Sequence, residues 1–303
     1  MAAAEQKKPR IGLALGSGSA RGWAHIGVIQ ALEKAGVRPD IVCGTSIGAL
    51  VGAAYAAGEL DRLERWIVGL TLGDVVGLMD VGLSAGVLKG DRVIDFFRRE
   101  VADRPIESLA MPFAAVATSL RTGAEVWLRS GSMLDAVHAS IALPGLFAPV
   151  RSQGDLLVDG GLCNPVPVSL ARAMGANIVI AVDLGSDVLG RRFRAPPAPE
   201  PPRGGTQKWM RELQQNLSRL APAKRPDEAM PSIIDVLASC MDIVQVRIAR
   251  SRLAGEPPEV IVAPRLARLR LLDFHRAKEA IEEGHRAVER VAHNLAVLNE
   301  NEV

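Results

Sequence analysis

Aromatic side chains are scarce, at 4% of 303 residues with a single tyrosine. Stacking on nucleobases therefore has little to draw on. With 36 basic residues against 34 acidic ones, no global field attracts a nucleic acid, and none is expected as a partner. Cysteines number three, Cys43, Cys163 and Cys240, and they lie far apart. Neither a disulfide framework nor a zinc-ligand spacing follows, and a reducing compartment fits. No uncharged apolar run approaches a bilayer-spanning length. The first ten residues are charged and polar, and the five apolar ones after them are too few for a signal-peptide core. The expected location is cytoplasmic, with any membrane contact a peripheral one at the inner face.

Small and apolar residues are plentiful. The chain is 48% hydrophobic with 29 glycines and a mean hydropathy of +0.16, which suits a buried parallel sheet. Short apolar runs at 11–15, 40–43, 113–118, 156–158, 177–183 and 259–263 read as strands, with 125–128 joined to 113–118 by a Thr122-Gly123 turn. Helical spacing or caps place helices at 23–35, 49–57, 61–70, 92–100 after Asp91, 132–140 after Ser132, 164–174, 207–220, a long one from Ser232 to 253, and 274–298. The apolar, glycine-punctuated stretch 75–83 reads either as a flap over a site or as a buried connection. Residues 191–205 are rich in proline and carry Arg191, Arg192, Arg194 and Arg203. They read as a semi-extended excursion, either solvated or approaching anionic headgroups. Because a strand follows it, the C-terminal part is expected to complete the same sheet. One domain over 10–300 results, with an insert at about 191–230.

The chemistry centres on Gly44-Thr45-Ser46-Ile47-Gly48. An apolar strand leads in and a small-residue helix leads out, so the serine stands at the apex of a sharp turn, a nucleophile elbow. The helix points its N-terminus at the hydroxyl, where an oxyanion would form. Upstream, Gly16-Ser17-Gly18-Ser19-Ala20-Arg21-Gly22 follows a strand. A phosphate loop needs Lys and Ser/Thr after the last glycine, and here Trp23 stands there. A dinucleotide fingerprint has its third glycine one residue earlier. An oxyanion hole of exposed backbone amides is the third reading and a plain strand–helix turn the fourth. Downstream, Asp159-Gly160-Gly161 ends an apolar strand, as a turn aspartate or as a base beside a ligand.

A serine nucleophile needs a base. Of the five histidines, His25 and His138 precede Asp159 within helical patterns, and His275, His285 and His293 lie on the terminal helical stretch. A Ser–Asp–His triad, with His275 as its best candidate, is one reading. A Ser46–Asp159 dyad, needing no histidine, is the other. An aspartate with an ordinary pKa of about 3.9 is a weak base in water. It would need close geometry, desolvation and a strong oxyanion site.

The glycine loop with Trp23-Ala24-His25-Ile26-Gly27-Val28, the elbow, the stretch 140–147 and Asp159 through Pro167 together resemble the patatin-like phospholipase family, and within it the bacterial branch related to neuropathy target esterase. The likeness spans about 10–185 and, more weakly, 274–284. It implies an α/β fold, a three-layer α/β/α sandwich around a mostly parallel sheet. It also implies a hydrolase acting on lipid acyl esters with no metal or cofactor. Carried over, Ser46 is the nucleophile and Asp159 the base. Gly16, Ser17, Gly18 and Ser19 supply the oxyanion hole, with Arg21, Gly22, Gly44, Gly48, Gly160 and Gly161 supporting the motifs. The loop departs from the commoner glycine-rich form at Ser17 and Ser19, which leaves open which amides donate. The expected partner is a phospholipid, lysophospholipid or simpler fatty ester. A catalytically weak regulator or adaptor that keeps the fold is the rival outcome.

Overall fold

The computed structural model describes residues 9–78, 97–99, 101–188 and 233–300. Its centre is an eight-stranded sheet. Strands β1 (Ile11–Leu15), β2 (Ile41–Thr45), β3 (Phe113–Ser119), β7 (Ile178–Val182) and β8 (Val260–Val262) lie parallel in the order β3-β2-β1-β7-β8. The antiparallel strands β4 (Glu125–Leu128), β5 (Val150–Ser152) and β6 (Asp155–Asp159) extend it around β3.

The parallel strands are apolar at nearly every position because both faces are covered. Alternation sorts their side chains. Leu13, Leu15, Val42, Phe113, Ala115, Ile180 and Val182 enter one core, while Ala14, Cys43, Ala114, Val116, Val179 and Ala181 enter another. Helices α1 (Ala24–Lys34), α2 (Ile47–Ala56), α3 (Leu60–Val68), α5 (Met133–Ser140) and α8 (Ala277–Glu289) contribute to the first core. Helix α6 (Val168–Ala173) and Ala249 of α7 (Ile233–Gly255) contribute to the second. The arrangement is an α/β/α sandwich. Gly27 of α1 and Gly284 of α8 face each other's helix backbone so closely that a Cβ on either would strike a carbonyl.

Strand order reverses at β1: β2 and β3 follow on one side, β7 and β8 on the other. Crevices outside the carboxyl ends of parallel strands form at such reversals. The glycine loop after β1 and the elbow after β2 both lie there. The pairing of β8 with β7 places the late strand in the same sheet.

Several local expectations change. The glycine loop enters α1 through a 3-10 turn, Ser19–Trp23. The Ser132 cap, by contrast, is as expected: its Oγ accepts the Asp135 amide at the start of α5. The start of the 75–83 stretch closes helix α4 (Leu72–Leu78), and the remainder lies outside the described residues. The expected terminal helix is broken: a 3-10 turn (Phe274–Arg276) precedes α8, and α9 (Ala292–Glu300) starts after an interruption at Arg290 and Val291. The Asp91 cap, the insert, the 207–220 helix and the Ser232 cap lie outside the described residues.

Candidate active site

Two strand ends meet along one edge of β3. Both β2 and β4 pair with Ala115 and Val116, so they occupy opposite edges. Both β4 and β6 pair with Ala117 and Thr118, so they too are opposite. Hence β2 and β6 share an edge. Thr45 ends opposite Val116, and Asp159 ends opposite Ala117. Because β2 runs parallel to β3 and β6 antiparallel, their carboxyl ends point at each other. The Ser46 hydroxyl, one residue beyond β2, donates to Asp159 Oδ2 at 2.5 Å.

Ser46 has φ 58° and ψ −125°, a conformation that L-residues adopt at a cost and that surrounding contacts must enforce. Two glycines allow it. A Cβ on Gly44 would collide with the backbone of Gly48 and Ala49, and one on Gly48 with the carbonyl of Leu15. Their absence seats the first turn of α2 on β1 and β2. Ser140, at the end of α5, completes the turn. Its Oγ accepts the Ser46 amide at 2.8 Å and donates to the Val116 carbonyl at 2.6 Å. Thr45 Oγ1 donates to the Asn164 carbonyl at 2.8 Å. Sequence reasoning missed Ser140, which reads as an ordinary helical serine.

Asp159 is fully buried. Its Oδ1 accepts the Gly161 amide at 2.7 Å, its own amide donates to the Ala142 carbonyl, and its carbonyl accepts from Thr118 Oγ1. Gly160 passes directly over the Val116 carbonyl, where a Cβ would clash. Burial pushes the Asp159 carboxyl up to about 6, with the Ser46 and Gly161 hydrogen bonds pulling the other way. The carboxylate is thus a better base than an exposed aspartate, while still ionised at neutral pH.

Two of the four loop amides expected to face an oxyanion are already committed. Gly16 donates to the Val182 carbonyl at 3.0 Å and Ser17 to the Pro165 carbonyl at 2.8 Å. Among the described residues, no acceptor takes the amides of Gly18 or Ser19. Ser19 lies at φ 51° and its hydroxyl donates to the Leu271 carbonyl at 2.6 Å. Gly22 packs against the Ile47 side chain with no room for a Cβ. Beneath the loop, buried His25 approaches the Gly16 carbonyl with Nε2 at 2.8 Å. A carbonyl only accepts, so Nε2 carries the proton. Burial lowers the His25 pKa to about 4, the Gly16 bond opposing it, and the ring is neutral at pH 7. Arg21 is buried against Asp242 of α7.

The Ser46–Asp159 pair opens into an apolar pocket. Ser17, Gly18, Ser19, Ser46 and Asp159 line its floor. Trp23, Leu50, Trp66, Leu70, Val75, Ile141, Leu143, Leu146, Phe147, Met241, Leu271, Leu272 and Phe274 form its walls. No histidine is among its lining residues. His275 is adjacent in sequence to Phe274 but does not line it, and His285 pairs with Gln30 at 2.9 Å. Among the described residues, no group of three or more His, Cys, Asp or Glu is placed to hold a metal ion.

A family model described as patatin-like phospholipase matches residues 13–172, the span that carries the glycine loop, the elbow and Asp159. The chain belongs to the patatin-like phospholipase family. Members of this family are generally lipid acyl hydrolases. An uncharacterized NTE family protein of Mycobacterium tuberculosis is 34% identical over 327 residues, covering 91% of this chain and 89% of its own. Patatin-like phospholipase domain-containing protein 6 of Homo sapiens is 40% identical over 185 residues, which cover 58% of this chain and 13% of that much longer one. A solved structure, VipD from Legionella pneumophila, aligns with 94% of this chain and 67% of its own at 14% identity and a TM-score of 0.46. Among the described residues of this patatin-like chain, no helix is long and apolar enough to cross a membrane.

Proposed function

We propose that the protein hydrolyses lipid acyl esters, such as phospholipids, lysophospholipids or simpler fatty esters, through a Ser46–Asp159 dyad. The observation that carries this reading is the direct 2.5 Å contact between Ser46 Oγ and Asp159 Oδ2 at the base of an apolar pocket. Ser46 Oγ attacks the acyl carbonyl carbon as its proton passes to Asp159 Oδ2. The carbonyl oxygen becomes an oxyanion, stabilised by the Gly18 and Ser19 amides and the N-terminal end of α2. The tetrahedral intermediate then expels the alcohol, which takes the proton from Asp159. Water, deprotonated by Asp159, attacks the acyl-enzyme, and the proton returns to Ser46 as the fatty acid leaves. The acyl chain lies against Leu50, Trp66, Leu70 and Phe147.

A peripheral membrane contact fits the same reading. Helix α7 lines the pocket through Met241 and Gln245 and exposes Val236, Leu237, Ile243 and Val244 on its surface.

Turnover of a panel of lysophospholipids and p-nitrophenyl acyl esters tests the proposal. Activity is expected to fall as pH drops through about 6, because protonation of Asp159 removes the base. His275→Asn is expected to leave kcat within about 2-fold, since no step uses it. Loss of turnover in a folded His275→Asn protein would favour a triad. A folded wild type with no turnover and no covalent reaction at Ser46 would mark an inactive protein that keeps the fold.

A further inference from the structure

We propose that Asp242 is a positioning residue for the oxyanion loop, acting through Arg21; the proposal rests on the acyl-hydrolase reading above. Asp242 lies on α7, 221 positions from Arg21, and accepts from Arg21 Nη2 at 2.5 Å. Both residues are buried, at 3% and 5% exposure. The other side of the guanidinium holds the loop. Arg21 Nε donates to the Gly18 carbonyl at 3.1 Å, and the Arg21 amide donates to the same oxygen at 3.2 Å.

The Gly18 carbonyl belongs to the same peptide unit as the Ser19 amide. In a planar trans unit the two point in opposite directions. Pinning the carbonyl toward Arg21 therefore aims the Ser19 N–H away from Arg21, fixing the direction of a donor that the proposed mechanism uses. The loop already holds Ser19 at positive φ, so its backbone needs such anchoring. A second tie lies one helical turn along α7, where Gln245 Oε1 accepts from Ser17 Oγ at 3.2 Å. Asp242 and Gln245 also line the pocket.

Arginine suits the role because its planar fork presents Nε to the carbonyl and Nη2 to the carboxylate at once. Without the carboxylate, a guanidinium held at this depth loses its direct ion-pair partner. Asp183 still acts on it electrostatically, but the freed Nη2 donor has a drive toward water. Departure of the guanidinium would release the Gly18 carbonyl and let the peptide unit rotate.

The test uses the full chain with Asp242→Asn, Asp242→Glu and Arg21→Lys, measuring kcat, KM, and inhibition by a long-chain trifluoromethyl ketone, which forms a tetrahedral adduct with Ser46. A chain-matched alcohol serves as the unreactive control. Asp242→Asn is expected to lower kcat by about 100-fold, the scale of losing one oxyanion donor. KM and alcohol binding should stay near wild type, and ketone affinity should weaken in step with kcat. Asp242→Glu is expected to recover part of the loss. Arg21→Lys keeps a cation beside Asp242 but lacks the Nε donor, so it should show the same selective loss even if Asp242→Asn does not fold. Folded Asp242→Asn or Arg21→Lys protein with wild-type kcat, or with kcat reduced but ketone affinity unchanged, overturns the proposal alone. A wild type that neither turns over esters nor binds the ketone overturns the acyl-hydrolase reading and this proposal with it.

Discussion

Asp159→Asn is expected to lower kcat/KM by about 10⁴-fold, near the upper limit for losing a general base, while making the protein more stable at neutral pH. The two effects share a cause. The native carboxyl is raised to about 6 by burial, against an ordinary 3.8. Protonation therefore favours the folded state. The carboxyl's stabilising contribution is full below pH 4 and is lost as pH rises through about 6. At pH 7 the folded chain bears the cost of a buried charge, on the order of 3 kcal/mol from the size of the shift. Asparagine removes that charge and can still accept the Gly161 amide and donate to Ser46. Urea unfolding at pH 4 and pH 7 checks the stability half. The variant and wild type should have similar midpoints at pH 4, and the variant should be ahead at pH 7. A variant less stable at both pH values would show that the carboxylate is held by more than these contacts.

Gly44→Ala is expected to cost more than about 4 kcal/mol, in the range that single substitutions reach only through severe mechanisms. The added methyl would meet the backbone carbonyl of Gly48 and the amide nitrogen of Ala49. These atoms belong to the first turn of α2 and cannot swing aside as a flexible side chain could. Helix α2 must lift from β2, carrying Ser46 away from Asp159. The comparison is Gly123→Ala, where the methyl enters open space and only the positive φ of 72° opposes it, at about 1 kcal/mol. Thermal unfolding should separate the two clearly. A Gly44→Ala protein with a near-native midpoint and normal turnover would mean that the elbow is looser than its packing indicates.

Much of the sheet was legible because buried parallel strands are short apolar runs bounded by glycine or charge. Strands β1, β2, β3 and β7 fall within a few residues of their expected bounds. Ser46 and Asp159 stood out for a related reason. Ser46 lies between Gly44 and Gly48, and Asp159 is followed by Gly160 and Gly161; the backbone needs these glycines, so local sequence carries the geometry. What was not legible depends on distant partners. Ser140 is one serine at a helix end until the edge of β3 brings it under the Ser46 amide. The Arg21–Asp242 and Ser17–Gln245 contacts join the glycine loop to a helix more than 200 residues away. The loop sequence showed four candidate amides, but only the chain partners Val182 and Pro165 reveal that Gly16 and Ser17 are already in use. The meeting of β2 and β6 on one edge of β3 is likewise a matter of register, which motif spacing does not encode. Nor does helical periodicity foresee the interruption at Arg290 and Val291.

The central claim is that Ser46, activated by Asp159, is the nucleophile. Its most direct test is peptide mapping by mass spectrometry after reaction with a long-chain fluorophosphonate, in wild type, Ser46→Ala and Asp159→Asn. A single adduct on Ser46 is expected in wild type, none in Ser46→Ala, and labelling slowed by orders of magnitude in Asp159→Asn. An adduct on another residue, or labelling that persists in Ser46→Ala, would contradict the claim.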